Sequence, residues 1–190
     1  MSPRIGLNFN ELLRTSIKIV DTEGWEALTI SYLAKKLTIQ PPSIYNHIKN
    51  LDELKNSIAL HGITQLYERL YESVEGKNNE KAIFALAFAY LDYARTHPGL
   101  YKATLSPSQT PGEEYRLTGK KILNLIYEVL KPYNLTDIEL IHAVRGLRSL
   151  LHGFVSLEKS DGFGINIPID ESVLFVLKNY VRNLKLDMQQ

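Results

Sequence analysis

Two adjacent prolines near the start of the chain restrict its fold more than any other feature. They lie in the segment LTIQPPSIYNHIKN, residues 37–50, between apolar residues that recur at regular spacing. A helix interior rejects proline, but the first turn of a helix accepts it, because the missing N–H would have no partner there. The segment therefore predicts the end of one helix, a tight turn, and a second helix with Pro41 at its cap and Pro42 at its first position.

The residues on both sides of the turn predict a helical pair. Thr29 can cap a first helix that runs to residue 37, and the second helix would run from residue 42 to residue 48. Ile44 and Ile48 are four residues apart and would face the core. The outward-facing residues are then Ser43, Asn46 and His47. Two short helices joined by about three residues form a helix-turn-helix, the unit that many DNA-binding proteins place against the major groove.

The charge pattern around this unit suits an anionic partner. No Asp or Glu occurs from Ala27 to Leu51, while Lys35, Lys36 and Lys49 are present. A surface that approaches phosphates must exclude carboxylates, and Ser, Asn, Gln and Tyr side chains can bond to phosphates or base edges. The pattern predicts DNA binding. A solvated helical hairpin with an accidental charge asymmetry is the alternative on these residues alone.

The rest of the chain carries helical signals only. Capping boxes open helices at Asn8 with Glu11 and at Thr136 with Glu139. Apolar residues at helical spacing, interrupted by polar loops, predict the other helices, near 52–74, 80–96, 98–105, 113–130 and 170–185, with Asp52 and Asp170 at the starts of the first and last of these. No alternating strand pattern is present. We therefore predict an all-α fold.

The composition excludes several classes of function. The 190 residues include no cysteine, which excludes disulfide bonds, thiolate metal sites and cysteine nucleophiles. The five histidines have no metal-protease spacing, and GFG at 162–164 lies between helices and is no nucleotide fingerprint. No apolar stretch approaches the roughly 20 residues of a membrane helix, and the N-terminus does not read as a signal peptide. We predict a cytoplasmic protein with no catalytic residue, cofactor or metal; an all-α enzyme or scaffold that does not bind DNA is the alternative.

Residues 8–60 resemble the DNA-binding domain of tetracycline-repressor-type (TetR family) regulators. The similarity runs through TEGWEALTISYLAKKL, the turn, and SIYNHIKNLDEL, which is similar to the family's leucine-tyrosine-x-histidine-phenylalanine segment. The resemblance implies phosphate or backbone contacts by Thr29, Tyr45 and His47, and by Lys49 in place of the family lysine where Leu51 stands. It also implies contacts with base edges, at Gln40, Pro41, Pro42, Ser43 and Asn46. The family's turn glycine is Thr38 here.

The C-terminal part resembles a ligand-sensing and dimerisation domain of one branch of the same family, marked by a tryptophan and a His-Gly pair (WHG type). AVRGLRSLLHGFVSLEKSDGFG carries the similarity, with His152 and Gly153 as the pair and Arg148 where the tryptophan is expected. The resemblance implies a three-helix DNA-binding domain at 1–55 and a helical effector-binding and dimerisation domain at 56–190. It further implies a homodimeric repressor that a small-molecule effector releases from a palindromic operator.

Small residues on helix 136–159 predict a contact with another helix. One arc of this helix carries His142, Gly146, Ser149 and Gly153. Glycine costs about 0.5–1 kcal/mol against alanine inside a helix, so a repeated glycine suggests a close backbone approach. The predicted dimer interface combines this arc with apolar residues of the last helix, namely Leu177, Tyr180 and Leu184, in a four-helix bundle. Packing of both helices inside a monomer fits the spacing equally well.

An effector pocket is predicted between the helices near 80–96, 113–130 and 136–159. Its apolar walls would be Phe84, Phe88, Tyr101, Tyr115 and Phe154. Arg145 and His152 would orient a polar or anionic group of the effector. A filled core that uses the same aromatic residues, with a purely structural His152, is the alternative.

Overall fold

The computed structural model describes residues 8–105 and 111–186, and this part of the chain is helical without a strand. Its α-helices are α1 (Phe9–Glu23), α2 (Ile30–Leu37), α3 (Leu51–Val74), α4 (Asn79–Thr96), α5 (Pro98–Leu105), α6 (Glu113–Leu130), α7 (Asp137–Lys159) and α8 (Ile169–Leu186). Short 3-10 helices occupy Trp25–Ala27, Pro41–Asn46 and Lys131–Tyr133. The all-α prediction is confirmed.

Side-chain caps start three of the helices where the sequence predicts them. The Asn8 and Thr29 side chains accept hydrogen bonds from the amides of Glu11 and Tyr32, at 2.9 and 3.2 Å, and so begin α1 and α2. The capping box of α7 is complete, because the carboxylate of Glu139 accepts from the Thr136 amide at 2.7 Å and the Thr136 hydroxyl accepts from the Glu139 amide. Each cap satisfies an amide that has no partner within its own helix.

The second helix of the helix-turn-helix differs from its prediction. It is a 3-10 helix, Pro41–Asn46, with Gln40 at the cap and Pro41 at the first position, not an α-helix that runs to residue 48. The Ser43 amide bonds to the Gln40 carbonyl, and the His47 amide to the Ile44 carbonyl, each three residues back and at 2.9 Å. The tighter 3-10 turn follows from that spacing. We call Pro41–Asn46 the recognition helix.

Two other helix starts also differ from their predictions. α3 begins at Leu51, and the Asn50 side chain, not Asp52, accepts from the Glu53 amide at 2.9 Å. α8 begins at Ile169, one residue before the predicted cap Asp170. In both cases an acidic residue predicted at the cap lies inside the first turn, where it still interacts favourably with the helix dipole.

The chain divides into two compact units. The first consists of residues 1–66 with 96–118, and the second of residues 67–95 with 119–190. The first unit therefore contains the helix-turn-helix together with α5, which is distant in sequence. The predicted functional boundary at residues 55 and 56 stays a prediction.

The first unit has a core of aliphatic side chains. Leu12 of α1, Leu33 of α2, Ile44 of the recognition helix, and Leu54 and Ile58 of α3 have no exposed surface. Burial of each side chain contributes about 1.5–3 kcal/mol, so these contacts fix the short recognition helix against longer ones. The recognition helix therefore owes its position to tertiary packing, which its own few hydrogen bonds could not provide.

The second unit is built on longer helices. Its fully buried side chains include Ile83, Tyr93, Leu130, Val173 and Leu177. Arg95 at the end of α4 binds carboxylates at the end of α7 and the start of α8, those of Glu158 at 3.0 Å and Asp170 at 2.6 Å. The Asp170 bond is the main cause that raises the pKa of Arg95 above its usual value. Across residues 8–105 and 111–186, no helix combines the length and apolar character needed to cross a membrane.

Candidate nucleic-acid interface

The recognition helix has a buried side and an exposed side. Ile44 is fully buried and Ile48, just beyond the helix, is 3% exposed. On the opposite side the Tyr45 ring is 54% exposed, and Asn46 is exposed beside it. Burial of the isoleucines therefore presents the tyrosine hydroxyl and the asparagine amide to the solvent. Of the three residues predicted to face outward, Asn46 is exposed, while Ser43 and His47 are half-buried.

The other predicted contact residues surround this exposed side in the sequence. Gln40 and Pro42 are exposed, while Pro41, Ser43 and His47 are half-buried. All of these residues lie within one short segment. The five residues predicted to touch base edges are thus gathered in the turn and the recognition helix. Their contacts with bases remain predictions.

The turn before the recognition helix adopts a left-handed conformation at Thr38, with φ of 58°. Glycine adopts this conformation most easily, and a β-branched residue does so at a cost. The Thr38 amide donates to the carbonyls at the end of α2, which ends that helix. The difference between Thr38 and the family's glycine therefore leaves the turn in place.

Thr29 and Lys49 lie at the two ends of the helix-turn-helix. Thr29 is exposed, and its hydroxyl oxygen caps α2, which leaves the hydroxyl hydrogen available as a donor. Lys49 is exposed, and its amide donates to the Glu53 carboxylate at 2.6 Å. This bond fixes the backbone at Lys49 and leaves the ammonium group outside it.

A carboxylate outside the acid-free stretch neutralises part of its charge. Lys36 of α2 binds Glu23 of α1 at 2.9 Å, and the Tyr32 hydroxyl donates to the same carboxylate. The bond from Tyr32, and then that from Lys36, lower the pKa of Glu23, while Glu23 raises the pKa of Lys36. Sequence reasoning missed this pairing, because it counted acidic residues within the stretch and not those that another helix brings to it.

The chemistry of this surface is hydrogen bonding and charge attraction. Hydroxyl, amide and imidazole groups of the recognition helix can bond to phosphates and to base edges, and Lys35 and Lys49 are exposed cations. Among the described residues, no group of three His, Asp or Glu side chains is placed to hold a metal ion. The surface therefore suits binding to a nucleic acid duplex.

The predicted effector residues divide between the two units. Tyr101 is buried in the first unit, where the Tyr115 hydroxyl donates to the Thr104 carbonyl at 2.6 Å. The other five belong to the second unit, with Phe84 and Phe88 half-buried on α4, Arg145 and His152 exposed on α7, and Phe154 stacked on Phe163 at a centroid distance of 5.7 Å. Sequence reasoning did not select Phe163, since its loop carries no periodicity. The pocket stays a prediction.

The predicted interface residues of α8 make contacts within their own unit. Leu177 is fully buried and Leu184 is 7% exposed. The Tyr180 hydroxyl donates to the Ala143 carbonyl of α7 at 2.9 Å, and burial is the main cause that raises the pKa of Tyr180. Tyr180 therefore connects α8 to α7 inside one chain, and Leu177 and Leu184 are buried without a second copy.

The small-residue arc of α7 is mostly exposed, and its Gly146 lies beside Tyr180. His142, Gly146 and Ser149 are exposed. A Cβ added at Gly153 would meet no atom within 4 Å, and one at Gly146 would lie 3.9 Å from the Tyr180 ring. Among residues 8–105 and 111–186, no close backbone approach explains these two glycines.

Comparisons with known proteins agree on one family. A family model described as the tetracyclin repressor-like C-terminal domain matches residues 83–180. The chain is 34% identical over 188 residues to YobS of Bacillus subtilis (strain 168), an uncharacterized HTH-type transcriptional regulator, and this match covers 98% of the chain and 97% of the relative.

Solved structures share the fold over almost the whole chain. A protein of unknown function from Rhodococcus sp. RHA1 has a TM-score of 0.81 at 18% identity, covering 97% of this chain and 100% of that one. BioQ in complex with its double-stranded DNA operator has a TM-score of 0.68 at 21% identity, covering 94% of this chain and 98% of that one.

Proposed function

The chain belongs to the tetracycline-repressor-like (TetR) family of transcriptional regulators, and from that premise we propose that it binds a palindromic operator as a homodimer and leaves the operator when a small molecule binds. One observation carries the DNA-binding part. Tyr45 and Asn46 are exposed on a recognition helix whose other side is buried. Family membership makes the chain a transcriptional regulator rather than an enzyme. The proposal places it in the cytoplasm, where it would reach chromosomal DNA.

The recognition helix would enter the major groove of the operator. Tyr45, His47, Thr29 and Lys49 would bond to phosphates and fix the register, which adds affinity for any sequence. Gln40, Pro41, Pro42, Ser43 and Asn46 would lie against base edges and determine the preferred sequence. Homodimer symmetry would require two half-sites about 34–36 Å apart, one helical turn of the duplex.

Selection of duplexes from a random pool by the purified full chain tests this proposal. We expect an inverted repeat to be enriched, and its affinity in a mobility-shift titration to fall as salt rises because counterions are released from the phosphates. A pool that stays random, with no retention of duplex at low salt, would support the alternative of a helical scaffold that does not bind DNA. A direct repeat would contradict the two-fold symmetry.

The exposed small-residue face of α7 is the interface we propose for the dimer. Two copies of α7 and α8 would form a four-helix bundle in which the glycines permit a close approach of the helices. The chain itself leaves room beside Gly153, so a larger side chain there would disturb the partner and not the fold.

Gly153→Leu tests the dimer separately from the fold. We expect the variant to change from dimer to monomer in a mass measurement at micromolar concentration, while its far-UV circular dichroism stays that of a helical protein. Gly153→Ala serves as the control, because alanine is still small enough for a close seam. A wild-type chain that is a stable monomer, or a leucine variant that remains a dimer, would contradict this interface.

Release by an effector would act through the long helix α3. This helix closely follows the recognition helix in the sequence and continues to Val74. The match of residues 83–180 to a tetracyclin repressor-like C-terminal domain supports a small-molecule partner for this part of the chain. We call the first unit of each copy, residues 1–66 with 96–118, its head. An effector can change operator affinity only if it favours one arrangement of the two heads over another.

Reciprocal titration tests the effector proposal for any compound that a thermal-shift screen identifies. We expect such a compound to bind more weakly when the operator duplex is present, by the same factor by which it weakens operator binding. An unrelated duplex of equal length is the control. Equal affinity of the compound with and without operator would exclude it as an inducer, even if it binds tightly.

A further inference from the structure

One carboxylate in the last turn of α1 holds the beginning of α5. The Oδ1 atom of Asp21 accepts hydrogen bonds from the amides of Gly99 at 3.0 Å and Leu100 at 2.9 Å. Its Oδ2 atom lies 3.1 Å from Nδ1 of His97. The first amides of a helix have no partner within that helix, and the helix dipole favours a negative charge there. Asp21, with a side chain only 16% exposed, therefore caps a helix that lies 77 residues further along the chain.

The backbone of α5 lies directly against two helices of the DNA-binding head. A Cβ added at Gly99 would lie 2.0 Å from the carbonyl oxygen of Val20, and one at Gly62 of α3 would lie 3.0 Å from the carbonyl oxygen of Leu100. Both glycines thus mark close approaches of backbones. An ion pair between Lys102 of α5 and Glu26 at 2.8 Å adds a further connection to the head.

These contacts give α5 a fixed position that its own sequence could not provide. The helix spans Pro98–Leu105, and a helix this short is unstable in isolation. The chain enters α5 from α4 through His97, one of the groups that the carboxylate holds. A displacement of the end of α4 would therefore reach α1 through the contacts of α5, among which the bonds of Asp21 hold both its entry and its first amides.

We infer that Asp21 is a positioning residue for operator binding, which fixes α5 to α1 so that the two helices move as one piece and the two heads of the dimer keep a defined separation. The inference rests on the proposed function, since it assumes a dimer on an inverted repeat. Asp21 lies on α1, outside the helix-turn-helix, and needs no contact with DNA. Without the Asp21 carboxylate, the distance between the two heads would vary more, while each head could still bind a half-site.

A series of duplexes with altered half-site spacing tests this inference. Each base pair inserted between half-sites moves them about 3.4 Å apart and rotates them by roughly 35°, so a dimer with fixed heads prefers one spacing. From the operator that the wild-type chain selects, three duplexes are made, with the original spacing and with one base pair more or less. A fourth carries a single half-site.

For Asp21→Ala we expect the ratio of affinities between the original and the altered spacings to fall roughly tenfold, the effect of about one hydrogen bond to a charged group. Affinity for the single half-site should stay within about twofold of wild type. Asp21→Asn is the matched control, because its amide oxygen can still accept from both amides, and it should keep most of the spacing preference. An unchanged ratio in Asp21→Ala would overturn the inference, as would a parallel loss on the single half-site.

The experiment also distinguishes a variant that does not fold from a wild-type chain that does not bind an inverted repeat. If Asp21→Ala does not fold by circular dichroism, His97→Ala takes its place, because it removes only the imidazole from the carboxylate; a reduced spacing ratio supports the inference and an unchanged ratio contradicts it. If the wild-type chain itself selects no inverted repeat, the proposed function fails, and the inference fails with it. If the wild-type chain shows a clear spacing preference, the proposed function stands, and an unchanged ratio in the variant rejects only the role of Asp21.

Discussion

Tyr45→Ala is expected to weaken binding to every duplex by roughly 10- to 100-fold for each head, without changing the preferred sequence. A hydrogen bond from the phenol to a phosphate is a bond to a charged group, worth about 1.5–3 kcal/mol, and each 1.4 kcal/mol corresponds to about tenfold in affinity. Because the lost group is neutral, the slope of log affinity against log salt should stay the same. Mobility-shift titrations at several salt concentrations measure both quantities.

Two further variants serve as controls. One distinguishes the contribution of the Tyr45 hydroxyl from that of its ring, and the other distinguishes a loss of DNA contact from a loss of stability. Tyr45→Phe keeps the ring and loses only the hydroxyl, so it should reproduce most of the loss. Ile44→Ala changes the neighbouring residue, which is fully buried, and should lower the free energy of unfolding by about 2–5 kcal/mol. Tyr45→Ala, at a ring that is 54% exposed, should leave the unfolding temperature nearly unchanged. Unchanged operator affinity in Tyr45→Ala would reject the proposed docking of the recognition helix.

Gly99→Ala is expected to be the most destabilising single-methyl change in the head. The new Cβ would lie 2.0 Å from the Val20 carbonyl oxygen, so α5 must move away from α1. Overpacking of this kind costs about 1–3 kcal/mol. The displacement also lengthens the bonds from the Gly99 and Leu100 amides to Asp21, which adds a cost of similar size. The two costs together are about 2–6 kcal/mol, so thermal unfolding should show a melting temperature lower by roughly 4–24 °C.

Gly146→Ala is the control for this prediction; Gly146 belongs to the face proposed for the dimer, where alanine, as at Gly153, is still small enough for the seam. It adds the same methyl group to a helical glycine, but the nearest atom, on the Tyr180 ring, is 3.9 Å from the new Cβ, which is ordinary contact. Alanine in place of a glycine inside a helix should raise stability by about 0.5–1 kcal/mol. The two variants should therefore shift the melting temperature in opposite directions. A neutral Gly99→Ala would mean that α5 can separate from α1 at little cost.

The helices could be predicted from the sequence because their signals are local. Thr29 caps α2 and Thr136 caps α7 with partners three residues away, so the sequence alone contains both members of each bond. The exposed position of Asn46 also follows from two isoleucines four residues apart, whereas Ser43 and His47, which were predicted to face outward with it, are half-buried. The type of the second helix was missed, because the spacing of Ile44 and Ile48 suits an α-helix and does not reveal that the Ser43 and His47 amides bond three residues back.

The interactions between distant segments could not be predicted. In the sequence, Asp21 is an acidic residue near the end of a predicted helix, where a negative charge is unfavourable for that helix. Only the fold brings it to the amides of α5, where the same charge is favourable. Glu23 is a similar case, because its partner Lys36 belongs to another helix. Patterns along one helix contain no information about which helix packs beside it.

The prolines of the recognition helix also affect the thermodynamics of complex formation. Each ring restricts φ to about −65°, so the free protein samples few backbone conformations at Pro41 and Pro42. Binding then removes little conformational entropy from the segment that would enter the groove, and more of the contact energy is retained as affinity. Many short recognition elements become ordered only on DNA and lose part of their contact energy in the process. Here the cost of order is met during folding, by the burial of Ile44 and Ile48 beneath the same residues.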